Sequence, residues 1–183
     1  LKAETEGAAP EYHEEQSMAR TEYPDSPRVG VGAVVLREGR ILLVRRGVPP
    51  ALGLWAIPGG VLKLGESLKE GAEREILEET GITIRAGDPV FTCDFCQRDG
   101  DGRIRFHYVI VDLAAEYVSG KVRGGDDALE ARWVAPEEIE DLPATKTTLK
   151  LLRQIGFLSP PEPPEVTESG DSFNTVRHLI CYD

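Results

Sequence analysis

Small and apolar residues alternate over 29–36, Arg37-Glu38-Gly39-Arg40 supplies a turn, and an apolar run resumes over 41–46. That pattern predicts a β-hairpin. Two further strands are expected over 90–95 and 104–113, on either side of the Asp99-Gly100-Asp101-Gly102 turn, and another over 131–134. Elsewhere the period changes from two to that of a helix. Leu68, Ala72 and Ile76 recur at i, i+4 and i+8, one stripe of a helix. Ser67 followed by Glu70 forms a capping box, and Gly81 offers a left-handed stop, so this helix is expected from 68 to 79 or 80. Pro136 opens an acidic helical turn, and Leu149, Leu151, Leu152 and Ile155 mark a closing helix over 145–155. Strands alternating with helices, with an antiparallel contribution, place the chain in the α/β class with a mixed β-sheet between helices.

The first of these helices carries unusual chemistry. Glu75, Glu78 and Glu79 sit at i, i+3 and i+4 and project from a face other than the apolar stripe, while Glu66 precedes the cap. Three glutamates on a helix are ordinarily a solvated face. Here like charges at i, i+4 stand near a helix C-terminus, where the macrodipole disfavours anions. A counterion explains their retention. Carboxylate oxygens without histidine or cysteine suit hard cations, Mg²⁺ first and Mn²⁺ second. Arg74, four residues from both Glu70 and Glu78, can tie a carboxylate in place. Upstream, Trp55-Ala56-Ile57-Pro58-Gly59-Gly60 reads as an extended segment ending in a glycine turn, where backbone can approach a ligand closely. No G-x-S-x-G elbow and no Walker A pattern competes for the chemistry.

The frame Gly60, Glu66 and Arg74-Glu75-Ile76-Leu77-Glu78-Glu79-Thr80-Gly81-Ile82 resembles the Nudix box of the Nudix hydrolases, with each fixed position filled. The resemblance covers roughly 28–158 and implies an α/β/α sandwich. It also implies hydrolysis of a nucleoside diphosphate linked to another moiety, with Mg²⁺ as cofactor. Glu78 and Glu79 then correspond to the principal metal ligands, Glu75 to a further ligand or the general base, Arg74 to a residue orienting a glutamate, and the Gly60 carbonyl to an added ligand. Family members often place another acid before a strand ending in tryptophan. Gly124-Gly125-Asp126-Asp127-Ala128-Leu129-Glu130-Ala131-Arg132-Trp133 is similar, making Asp127 and Glu130 the candidates, with a charged turn as the alternative.

Charge sharpens the domain reading. The 183 residues carry a net charge of −11, but 1–27 hold two basic and seven acidic residues, and 159–183 one basic and five acidic. A Nudix-type domain over 28–158 is therefore expected between an acidic, flexible extension at 1–27 and a Pro/Glu-rich tail at 159–183. Within the tail, 173–182 contains apolar residues able to dock. The acidity argues against nucleic acid or an anionic membrane as partner. No apolar run reaches membrane-spanning length, and the amino end has no hydrophobic signal region, so a cytoplasmic protein is expected. The resemblance also allows a homodimer, a state frequent among relatives. Cys93, Cys96 and Cys181 are read as ordinary thiols, since Cys93-x-x-Cys96 lacks a second pair.

For substrate contacts the sequence offers Arg45 and Arg46, of which strand alternation points only one toward the site. It also offers aromatic residues able to stack on a base, Phe95 and Tyr108 foremost, with Trp55, Phe91 and Phe106. The segment from Val31 to the Gly-Asp-Asp…Arg-Trp-Val stretch looks most like the ADP-ribose pyrophosphatase branch, although Arg98 stands where that branch often has proline. ADP-ribose or a similar nucleoside diphosphate sugar is thus the expected substrate. Oxidised or non-canonical nucleoside triphosphates are one alternative, and a non-catalytic nucleotide-binding regulatory domain is another.

Overall fold

A computed structural model describes residues 22–159 and 181–182. The stretch 1–21 and positions 160–180, which include most of the expected docking segment, lie outside the described residues. Among the described residues eight strands form one mixed sheet: β1 (Arg28–Arg37), β2 (Arg40–Arg46), β3 (Trp55–Ala56), β4 (Gly59–Val61), β5 (Ile82–Arg98), β6 (Ile104–Gly120), β7 (Ala128–Val134) and β8 (Cys181–Tyr182). Helix α1 (Leu68–Thr80) precedes β5, and α2 (Lys146–Gln154) follows a 3-10 turn over Pro136–Asp141. The sheet runs β3-β2-β1-β6-β5-β8, with β4 beside β1 and β7 beside β2. The β1–β6 and β5–β8 pairings are parallel and the others antiparallel.

Strand alternation distributes side chains to two cores. Val31, Ala33 and Val35 of β1 and Leu42 of β2 meet Ala72 and Ile76 of α1, with Ile82, Ile84 and Leu113. Val34, Ile41 and Leu43 point the other way and meet Leu151 and Leu152 of α2, with Trp55, Phe91 and Ile139. The sheet is therefore sandwiched between the helices, as expected.

Two local outcomes differ from the simple pattern. The β1–β2 hairpin closes for only two pairs, Leu36↔Ile41 and Arg37↔Arg40. Below them the strands part, and β1 gives its edge to β4 through Gly30↔Val61, Val31↔Gly60 and Gly32↔Gly59. A Cβ at Gly59 would fall 2.5 Å from Gly32 Cα, so the approach of β4 to β1 requires glycine. Strands β5 and β6 also run well past the expected 90–95 and 104–113. Gly87 and Pro89 masked the beginning of β5; the ladder absorbs them at register shifts around Ala86, Pro89 and Phe91.

Helix α1 has the expected ends. The Ser67 hydroxyl accepts from the Glu70 N–H, Glu70 accepts from the Ser67 N–H, and Gly81 closes the helix at φ 68°. Such a cap contributes about 1 kcal/mol. At the amino side, the Tyr23 N–H donates to the Arg105 carbonyl at 2.8 Å, and Arg105 pairs with Glu22. No helix among the described residues is long and apolar enough to cross a membrane.

Candidate active site

Where β1 and β2 part, a cleft of about 1140 Å³ opens between α1, the Gly59–Gly60 backbone and the α2-facing side of the sheet. Glu75, Glu78, Glu79, Arg74 and Gly60 all line it. Their environments differ sharply. Glu75 and Glu79 are buried, whereas Glu78 is exposed. The three glutamates therefore share a helix face without sharing a solvent environment.

Arg74 organises the group. Its Nε and Nη2 donate to the two oxygens of Glu66 at 2.6 and 2.9 Å, and its Nη1 donates to Glu75 at 2.6 Å and Glu78 at 3.0 Å. Nη2 also reaches the Val61 carbonyl at 3.2 Å. Only a planar fork with five donors can serve this many acceptors at once. Glu70, the other partner open to Arg74 by spacing, is occupied by the Ser67 cap. The Arg74 hydrogen bonds hold the Glu66 carboxyl down at about 2, helped by the Lys63 N–H. Glu75 is nevertheless pushed up, because burial outweighs a guanidinium divided among three carboxylates.

Glu79 is pushed up to about 7, first by burial, with the Glu75 and Asp127 charges adding to it. The Gly59 N–H donates to its Oε2 at 2.8 Å, and this bond and Arg46 oppose the shift. A Cβ at Gly60 would sit 2.6 Å from Glu75 Oε1, so a bare backbone is needed beside the acids. Among the described residues no three His, Cys, Asp or Glu side chains already converge as a closed metal cage. Arg74 stands among Glu66, Glu75 and Glu78 instead. The donors that remain are all oxygens, and Mg²⁺ commonly takes one or two carboxylates and completes its shell with water and phosphate. The set fits such an ion.

A loop after β6 completes the rim. The Arg123 and Gly125 N–H groups donate to the Thr80 and Glu79 carbonyls at 3.0 Å, satisfying otherwise orphaned acceptors at the end of α1. The Gly47 N–H holds the Asp127 carbonyl at 2.7 Å. This brings Asp126 and Asp127 to the cleft. Glu130 is a correction: it lies on β7 opposite Arg45 of β2, exposed and absent from the cleft wall. Arg45 is a correction for the same reason. Strand alternation sends it to solvent and Arg46 to the cleft, where Arg46 Nε donates to the Pro50 carbonyl at 2.8 Å.

Of the aromatic candidates, Phe95, Phe106 and Tyr108 line the cleft, with Phe95 and Tyr108 rings 6.5 Å apart. Trp55 and Phe91 are core residues. Sequence reading missed Asp112, Thr145 and Thr148. Asp112 follows the apolar run of β6, and its alternation with Tyr108 and Ile110 was the signal that could have found it.

A NUDIX domain family model matches residues 26–155. An ADP-ribose pyrophosphatase of Methanocaldococcus jannaschii is 32% identical over 107 residues, covering 58% of this chain and 61% of that relative. The match thus spans less than two thirds of that relative's length. A CTP pyrophosphohydrolase of Escherichia coli is 32% identical over 142 residues, covering 74% of this chain and 96% of the relative. Among solved structures, a MutT NUDIX hydrolase from Burkholderia pseudomallei is 33% identical, with a TM-score of 0.60 over 72% of this chain and 99% of that one.

Proposed function

The chain belongs to the NUDIX family, and on that premise we propose that it hydrolyses the pyrophosphate bond of a nucleoside diphosphate linked to another moiety. ADP-ribose or a similar nucleoside diphosphate sugar is the leading substrate. The observation that carries this reading is the burial of Glu75 and Glu79 side by side at the head of a nucleotide-sized cleft. Two adjacent acids whose ionisation burial resists need a countercharge to act as anions.

Nudix hydrolases generally use divalent metal ions. Here Glu75, Glu78, Glu79 and the Gly60 carbonyl would hold one, Mg²⁺ with Mn²⁺ as substitute. When bound, such an ion neutralises phosphate oxygens and eases deprotonation of water. The remaining work falls to the protein. Arg74 fixes Glu75 and Glu78, and the Gly59 N–H fixes Glu79. Arg46 supplies positive charge to the diphosphate, Asp127 takes a proton from the attacking water, and Phe95 and Tyr108 wall the base. Phosphoryl transfer asks mainly for this positioning and charge compensation. The cleft volume of about 1140 Å³ exceeds the usual drug-sized pocket of about 300–1,000 Å³ and leaves room on both sides of a diphosphate.

A second reading, hydrolysis of nucleoside triphosphates, is favoured by the nearly full-length match to the CTP pyrophosphohydrolase. Incubation with Mg²⁺ or Mn²⁺ and a panel of ADP-ribose, NADH, dinucleoside polyphosphates, CTP and oxidised triphosphates separates the two. AMP with ribose phosphate supports the first, and nucleoside monophosphate with pyrophosphate the second. Binding without any product would overturn both.

A further inference from the structure

The sheet wall of the cleft carries a group that hydrolysis leaves unused. Alternate positions of β6 (Phe106, Tyr108, Ile110 and Asp112) line the cleft together. Three are apolar or aromatic. The fourth is a carboxylic acid only 5% exposed, and among the described residues no hydrogen bond or ion pair reaches it. Burial alone pushes this carboxyl up to about 7.

The neighbouring strand makes room for it. Gly32 pairs with Asp112 across the parallel β1–β6 ladder. A side chain at 32 would collide with Asp112 Oδ1 and stand 2.9 Å from the Pro58 carbonyl. Gly30 lies two residues back on the same face, where a Cβ would meet Ile110 at 3.6 Å and Tyr108 at 3.9 Å. Two glycines and two apolar residues thus form a flat floor, with the carboxyl at one end of it. A flat floor accepts a planar ring, and a carboxyl in its plane can meet an edge that offers a donor beside an acceptor.

We propose that Asp112 anchors the nucleobase by its pairing edge, the base amino group donating to one carboxyl oxygen while the adjacent ring nitrogen accepts from the other. The inference rests on the reading that a nucleotide occupies the cleft, and it names what holds the base there. Adenine and cytosine both present this edge. The carboxyl requires the edge to be intact rather than choosing between the two.

Calorimetric titration without metal or turnover tests it with two pairs of nucleoside monophosphates. Within each pair the second member lacks only the exocyclic amine: AMP against purine riboside monophosphate, and CMP against pyrimidin-2-one riboside monophosphate. The wild-type protein should bind the amino member of at least one pair about tenfold more tightly. Asp112→Leu should erase that preference. Asp112→Asn, whose amide offers the same donor and acceptor, should keep it within about threefold. Equal binding of both members in both pairs would overturn the proposal, as would a preference that survives in Asp112→Leu. The outcome separates from the hydrolase reading: turnover without preference removes the base anchor alone, and preference without turnover removes the hydrolase alone.

Discussion

At the α1 end of the cleft the acids come with partners. Glu66, Glu75 and Glu78 share one guanidinium, and Glu79 holds a backbone N–H. At the β6 end Asp112 faces the same cleft with no partner among the described residues. The same functional group is thus held in fixed geometry at one end and left with its bonding capacity open at the other. Held carboxylates suit a charged ligand, because their positions are set before it arrives. An open acid that burial keeps protonated up to about pH 7 suits an uncharged ring that brings its own donor and acceptor. Nucleotides offer both, a diphosphate at one end and a base at the other.

The largest effect should come from the held end. Glu79→Gln keeps the shape and the Gly59 hydrogen bond but removes the charge. Turnover should fall by about a thousandfold or more, on the order of 4 kcal/mol in the barrier. AMP affinity, read at the other end, should stay within about threefold. Steady-state rates and calorimetry on one preparation test both halves. A wild-type rate in Glu79→Gln would remove the assignment of this end to the diphosphate.

The open end should declare itself in stability rather than in rate. Burial pushes the Asp112 carboxyl up to about 7 in the folded chain, from an ordinary value of 3.8. Between those values the folded chain holds a proton that the unfolded chain has released. Its contribution to stability is therefore complete below 3.8 and lost as pH rises toward 7. Asp112→Leu should consequently gain on the wild type as pH increases from 4 to 8, by at most about 4 kcal/mol. Denaturant unfolding at both pH values reads the difference, and a pH-independent difference would mean the carboxyl already has a partner.

Legibility in the sequence follows the same division. The α1 end is contiguous: cap, stripe, acids and stop lie on one helix, so spacing alone located them and set the helix limits to within a residue. The β6 end is assembled from β1, β5 and β6, and nothing local in Gly30, Gly32 or Asp112 shows that they share a floor. The parallel β1–β6 pairing creates that neighbourhood. Strand lengths were similarly hidden, because Gly87 and Pro89 look like breakers until the bulges absorb them. Alternation did limit the cleft to one of Arg45 and Arg46, but which of the two needed the fold.

A smaller effect tests how far the held end depends on one fork. Arg74→Lys retains the charge but cannot serve Glu66, Glu75, Glu78 and the Val61 carbonyl together. The acids would keep their identity and lose their positions. Turnover should drop about 10- to 100-fold, the usual loss when a residue supporting metal ligands is replaced. More metal should restore part of it, because the ligands themselves remain. A variant as fast as the wild type would show that the carboxylates hold their places without the guanidinium.

The smallest effect concerns two acids three positions apart that the sequence could not rank. Asp127 is held on the cleft rim by the Gly47 N–H, in a loop whose Gly125 caps the end of α1. Glu130 sits on β7 across from Arg45, 4.0 Å from Arg132, and faces solvent. An exposed pair of that kind contributes about 0–1 kcal/mol. Glu130→Gln should therefore leave kcat/KM within about twofold and stability within about 0.5 kcal/mol. Asp127→Asn, by contrast, should slow turnover about 100-fold if its carboxylate accepts the proton of the attacking water. Running both substitutions against one substrate makes the pair its own control, since each removes one negative charge from the same segment. Equal losses would point to the field of that segment as the cause. A loss confined to Glu130→Gln would require β7 to slip by one residue, which would carry Val134 out of the core it now fills with Ile41 and Leu151.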